Sequence, residues 1–277
     1  MKTALQTMVI HKAINDLGAF EALRLAKEAG YNAAEISGHF PCDDAMVEAL
    51  CRARDELGME ICALNVVYGG PFGPAQRPAG SSTLSLTEDF DRAVAYARRL
   101  GARYLRYAGS PAHALTDEEK LREYFAGTEA LCLRLEEQGL KLCMHNHDSE
   151  FAKVKGRFIL DWAATLAPHL CFEFDAVGAC HAAVDLRAAM GKLSGRMPLI
   201  HFADVKIVPH AGRVHLEETV VSCPLGEGNI DVKAFVETAM ACGCEYFIIE
   251  MPDQPDPYAS IRLAADNLKA LGFGYTF

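Results

Sequence analysis

The chain has 277 residues, 51% hydrophobic and 23% charged, a globular composition that excludes general disorder, collagen-like repeats and coiled coil. Lysine plus arginine number 27 against 37 aspartates and glutamates, a net charge of −10, so no long-range field gathers nucleic acid or anionic lipid. The length permits one barrel-sized domain or two smaller ones.

Taken in chain order, Leu5 to Ile10 reads as a first strand. Asp16 is placed to cap a helix carrying Leu17, Phe20, Leu23 and Ala26, with Gly30 to stop it. Ala33–Ser37 is a second strand, Ala45–Leu57 a helix ended by Gly58, and Ile61–Val67 a third strand. Phe90–Leu100 lies in a helix ended by Gly101, and Tyr104–Tyr107 is a fourth strand. Thr116 and Glu119 have capping-box spacing and open a helix that runs to Gln138 and stops at Gly139. Leu140–Met144 is a fifth strand, Phe158–Leu166 a short helix and Leu170–Phe174 a sixth strand. Leu186–Leu193 lies in a helix, and Leu199–Phe202 is a seventh strand. Asp231 caps a helix to Ala241, Tyr246–Ile249 is an eighth strand, and Ser260–Leu271 lies in a last helix. Strands that each feed a returning helix pair in parallel. Eight such units imply an α/β fold, a single (β/α)8 TIM barrel over residues 1–277. Two connections after strands are long, 68–82 and 204–229, and both belong at the barrel's C-terminal face as a lid or pocket wall.

The N-terminus lacks the apolar segment of a signal peptide, and no run of 18 apolar residues offers a transmembrane helix. The ten cysteines are scattered through apolar runs with no CxxC pair, as expected of reduced, buried thiols in a cytoplasmic protein. His169, His210 and His215 lie away from strand ends and read as surface residues; Trp162 reads as a packing residue. A homodimer is the base-rate expectation for assembly.

Polar residues recur inside or just after the apolar strands: Glu35, Asn65, Arg106, His145, His147, Glu173, Asp175, His201 and Glu250. Ionisable groups are seldom buried without partners, so their recurrence points to one shared polar site. His145, Asp175, His201 and Glu250 end or leave successive strands, 30, 26 and 49 residues apart, and would lie side by side on the rim. Two imidazoles and two carboxylates there form a mixed N/O site for a divalent metal, with Mn²⁺ expected and Zn²⁺, Co²⁺ or Fe²⁺ as alternatives.

These residues resemble the xylose isomerase-like barrel superfamily, in its sugar phosphate isomerase/epimerase branch, over nearly the whole chain. Gly30-Tyr-Asn-Ala-Ala-Glu35 looks like that group's GYDGVE strand. His145-Asn-His-Asp-Ser-Glu-Phe151 looks like its HNHDxEF segment. Phe174-Asp-Ala-Val-Gly178, Ile200-His-Phe-Ala-Asp204, Gly226-Glu-Gly228 and Ile249-Glu250 are similar to its later motifs. The resemblance implies a metal held by Glu, Asp, His and Glu, three of which map to Asp175, His201 and Glu250. The first position is His145 here, which leaves Glu250 alone of the two proton-exchanging glutamates. Glu150 or His147 would supply the missing proton carrier, and His11, Glu35, Asn65 and Arg106 the substrate shell. The lysine of the family's HLKD motif is replaced by Ala203.

The implied function is metal-dependent isomerisation or epimerisation of a small sugar, polyol or keto-sugar through an enediolate. A lyase or dehydratase on the same scaffold, or a barrel that only binds sugar, are the alternatives. The superfamily's apurinic endonucleases need more metal ligands and a phosphate-binding surface, so no nucleic-acid or membrane partner is expected. Glu227 within Gly226-Glu-Gly228 favours an unphosphorylated substrate.

Overall fold

The structure, a computed structural model, describes residues 1–72, 83–209, 220–251 and 254–277. Eight strands close a parallel barrel: Lys2–Gln6, Ala33–Ile36, Glu60–Val66, Tyr104–Ala108, Lys141–His145, Cys171–Asp175, Leu199–Phe202 and Tyr246–Ile249. Each pairs with its sequence neighbours, and the eighth closes on the first from Lys2↔Tyr246 to Leu5↔Ile249. The expected (β/α)8 architecture is therefore the observed one.

Alternation along the strands sorts the core into two layers. Outward residues such as Leu5, Leu64, Leu105, Met144, Phe172, Phe202 and Phe247 join one cluster with the surrounding helices. Burial of each large apolar side chain contributes about 1.5–3 kcal/mol, so this outer layer dominates closure. Inward residues form a separate cluster on the barrel axis: Ala4, Ala33, Ala63, Tyr104, Cys143, Cys171, Leu199 and Tyr246, one from each strand. Two residues further along, seven strands place Gln6, Glu35, Asn65, Arg106, His145, Glu173 and His201, all buried. The lumen is thus apolar at its floor and polar toward its C-terminal mouth.

Several boundaries differ from the sequence expectation. The first strand ends at Gln6 because the Gln6 side chain accepts the Met8 N–H and starts a 3-10 turn, Thr7–Ile10, followed by the helix His11–Leu17. Asp16 lies inside that helix and caps nothing; Gly18, at φ +84°, makes the break before the helix Ala19–Glu28. The cap of Glu118–Glu136 is Asp117, whose carboxylate accepts the Lys120 N–H at 3.0 Å, in place of Thr116. The last helix starts earlier, at Pro257, because Asp256 caps it and proline fits the first turn.

The long connection after the seventh strand forms an antiparallel hairpin, Asp204–Ile207 with Val220–Cys223. Residues 210–219, with His210 and His215, lie outside the described residues, as do 73–82 of the connection after the third strand. Trp162 is buried in its helix and donates to the Val154 carbonyl, a packing role. Seven of the ten cysteines are buried. Among the described residues, no helix is long and apolar enough to cross a membrane.

Candidate active site

The polar layer is built around Arg106. Its Nε donates to Glu173 Oε2 at 2.6 Å and lies 3.2 Å from Glu35 Oε1, and its Nη1 donates to Asn65 Oδ1 at 2.6 Å. Gln6 Nε2 also donates to Glu35 Oε1. Glu35 and Glu173 are fully buried, so each carboxylate depends on these partners. Burial, then the Glu173 charge, pushes the Glu35 carboxyl up to about 8. Glu173 is also raised by burial, but the charges of His201 and Arg106 outweigh that and hold it well below the usual range. One guanidinium thus faces two carboxylates of unequal acidity.

His201 joins this layer to the mouth. Its Nε2 lies 3.0 Å from Glu35 Oε1 and 3.2 Å from Glu173 Oε2, and its Nδ1 lies 2.8 Å from Glu250 Oε2. Burial lowers its basicity, but the charges of Glu173, Glu250 and Glu35 prevail and hold the imidazole well above its ordinary pKa. Burial likewise raises Glu250, but His201 draws that carboxyl down to about 2.

Asp175 ends the sixth strand and caps the helix Ala176–His181, accepting the N–H groups of Val177 at 3.0 Å and Gly178 at 2.8 Å. Burial and the neighbouring Glu250 charge push its carboxyl up to about 7. A side chain at 178 would meet the His147 backbone at 2.8 Å, so glycine there lets the helix start close under the fifth-strand exit.

His145 packs its ring against those of His201 and His147, with centroids 4.6 and 4.8 Å away. Its Nδ1 lies 3.0 Å from Glu173 Oε2 yet outside hydrogen-bonding geometry, and is buried without a partner. Burial, with the charges of Arg106 and His201, lowers its pKa to about 3 and keeps it neutral. Among the described residues, His145, Glu173 and His201 bring one donor atom each within 4.8 Å of one another, a buried cluster able to hold a metal ion.

The remaining predicted residues divide. Glu150 is fully buried, and its carboxylate accepts from Ser110 N and Oγ, His147 N and Ser149 Oγ at 2.8–3.1 Å. That clamp ties the fourth-strand exit to the fifth, so both oxygens are occupied away from proton-transfer chemistry. His147 is exposed at the mouth, and His11 is exposed with its ring nitrogen 3.0 Å from the Met8 carbonyl. Glu35, Asn65 and Arg106 lie beneath His201, bound to one another rather than open at the mouth.

Three features were missed or left unassigned by sequence reasoning. Glu173 carries no assigned role in the sequence pattern; its inward register with Asp175, two residues on, is the available signal. His39 sits in the loop after the second strand, bonded to Ser37 Oγ at 2.7 Å, and within range of the Glu250 charge. Asp204 is fully buried and accepts the N–H groups of Val205, Gly226, Gly228 and Ile230 at 2.8–3.1 Å. The Gly226-Glu-Gly228 turn therefore wraps the chain's own carboxylate.

Residues 23–271 match the family model of the xylose isomerase-like TIM barrel. The chain belongs to this family. Xylose isomerase-like folds of the same build include a sugar phosphate isomerase/epimerase from Parabacteroides distasonis ATCC 8503, at TM-score 0.74 and 18% identity, covering 97% of this chain and 98% of that one. An L-ribulose 3-epimerase matches at TM-score 0.70 and 15% identity, covering 99% and 95%. A probable 3-DHS dehydratase of Bacillus anthracis, involved in petrobactin synthesis, matches at TM-score 0.68 and 12% identity, covering 97% and 99%. At these identities the likeness is one of fold. Among curated proteins, none matches the chain.

Proposed function

We propose that this xylose isomerase-like protein is a divalent-metal-dependent enzyme that moves a proton alpha to the carbonyl of a small sugar, polyol or keto-sugar, as an isomerase or epimerase. The observation that carries the reading is the double engagement of His201, with buried carboxylates on Nε2 and Glu250 on Nδ1. A metal-bound histidine characteristically gives its other ring N–H to a carboxylate. On metal uptake His201 would give up its Nδ1 proton and keep the one on Nε2, leaving Nδ1 and Glu250 Oε2, 2.8 Å apart, as two donors facing the mouth.

Glu173 is already matched by Arg106 at 2.6 Å, which weakens it as a ligand. The set we favour is therefore His201, Glu250, Asp175 and His145. A mixed N/O set of this kind suits Mn²⁺, with Zn²⁺, Co²⁺ and Fe²⁺ as alternatives. When bound, the ion would polarise the substrate carbonyl and stabilise the enediolate. Glu250, the carboxylate beside His201 at the mouth, takes the carbon-bound proton. His147, exposed beside His145, is the second proton carrier, since Glu150 is occupied by its clamp.

The test is metal analysis of the purified protein, followed by solvent-deuterium exchange into a panel of free ketoses and keto-polyols. Stoichiometric divalent metal with exchange alpha to the carbonyl is the expected result. A protein that takes up no divalent metal, exchanges no substrate hydrogen and releases no leaving group would sink it in favour of a binding barrel. The lyase reading is favoured by one observation: a neutral imidazole, His145, ends the fifth strand, leaving Glu250 without a facing glutamate. Release of water with a conjugated carbonyl absorbance would select it.

A further inference from the structure

Resting on the metal reading above, we infer that Glu35, Glu173 and Arg106, braced by Asn65 and Gln6, form a positioning lattice that aims His201 Nδ1 at the mouth and do not contact substrate. The buried contacts run in one direction. Gln6 and Arg106 hold Glu35; Arg106 holds Glu173; both carboxylates converge on His201 Nε2 at 3.0 and 3.2 Å. Asn65 Oδ1 takes a further N–H of the guanidinium at 2.6 Å.

No member is open at the mouth: relative exposures are 0% for Glu35, Glu173 and His201, 1% for Gln6, 6% for Arg106 and 7% for Asn65. A substrate hydroxyl would have to displace a charged pair to reach them. On metal uptake the lattice also fixes which proton His201 keeps. Two carboxylate oxygens on one nitrogen demand a proton there, and the opposite nitrogen must turn to Glu250. Arg106 supplies the positive charge that keeps Glu173 ionised beside the Glu35 carboxyl and within reach of the same imidazole. Its planar fork spans several acceptors at once, which the point charge of lysine does not.

The test uses the full chain and Co²⁺ as the probe. Co²⁺ affinity is measured by competition with a chromophoric chelator in wild type, Glu35→Gln and Glu173→Gln, with circular dichroism to establish folding. Weakening by about 10–100-fold in each variant, with a changed Co²⁺ absorption band, is expected. In metal-saturated protein, KM for a substrate that wild type turns over should hold while kcat falls. Unchanged Co²⁺ affinity with a raised KM would overturn the inference and return these residues to the substrate shell. Gln6→Ala removes one neutral strut and no charge, and covers the case in which the glutamate variants do not fold. A several-fold loss of Co²⁺ affinity supports the lattice, and wild-type affinity overturns it.

A wild type that takes up no Co²⁺ defeats the metal reading alone. The lattice is then read in metal-free protein from ¹⁵N-histidine spectra. A downfield, slowly exchanging His201 Nε2–H that is lost in Glu35→Gln, or shifted upfield in Gln6→Ala, supports it. An unaltered resonance overturns it.

Discussion

His201 Nδ1 and Glu250 Oε2 lie 2.8 Å apart although 49 residues separate them in the chain. The seventh and eighth strands pair in parallel, His201 opposite Ile248, and Glu250 follows two residues later on the same face. The contact therefore depends on barrel closure and strand register together.

Glu250→Gln keeps the shape and a weak acceptor but removes the carboxylate proposed as the base. We expect solvent exchange to fall by roughly 10²–10⁴ even in metal-saturated protein, with an unfolding midpoint lowered by loss of the His201 pair and of a metal ligand. Exchange rates by NMR, with a denaturation curve, check this. A drop below tenfold would place the base elsewhere.

Removal of the metal should silence exchange and lower thermal stability. A ligand at a hundredfold excess over its Kd contributes about 2.7 kcal/mol. For a chain of this size that corresponds to roughly 5–10 °C in Tm. Calorimetry after chelation and re-addition of Mn²⁺, Zn²⁺ or Co²⁺ measures the shift and ranks the ions.

Glu150 and His147 should separate cleanly. Glu150→Ala strips one carboxylate from four donors and is expected to cost on the order of 3 kcal/mol of stability. His147→Ala removes an exposed ring that packs edge-on against His145, and should leave stability near wild type while slowing exchange. Urea unfolding beside exchange kinetics distinguishes them; the reverse pattern would make Glu150 the proton carrier.

The Asp204 cradle predicts an unphosphorylated substrate. Four backbone N–H groups after the seventh strand, a region where barrels often hold phosphate, already bind this carboxylate. Free keto-sugars should be turned over in preference to their phosphate esters, and inorganic phosphate should not inhibit. Gly228→Ala would set a Cβ 2.3 Å from Asp204 Oδ1 and is expected to cost about 1–3 kcal/mol. Competition kinetics and thermal unfolding test the two statements separately.

The eight-unit architecture could be read from the chain because strand alternation and helix caps are local. Phe90–Leu100, Leu199–Phe202 and Tyr246–Ile249 stand where the apolar pattern puts them. The same pattern places His145 and Asp175 at strand ends and Glu250 just after one, but His145 and His201 lie buried in the lumen rather than on the rim. The partners did not follow. Arg106 meets Glu173 across 67 residues, Glu35 meets His201 across 166, and Ser110 meets Glu150 across 40. Those meetings come from closing the ring and setting each strand's stagger, which no local pattern encodes. Tertiary structure alone therefore decided which carboxylates are matched by a cation, which are tied into the scaffold, and which face the mouth.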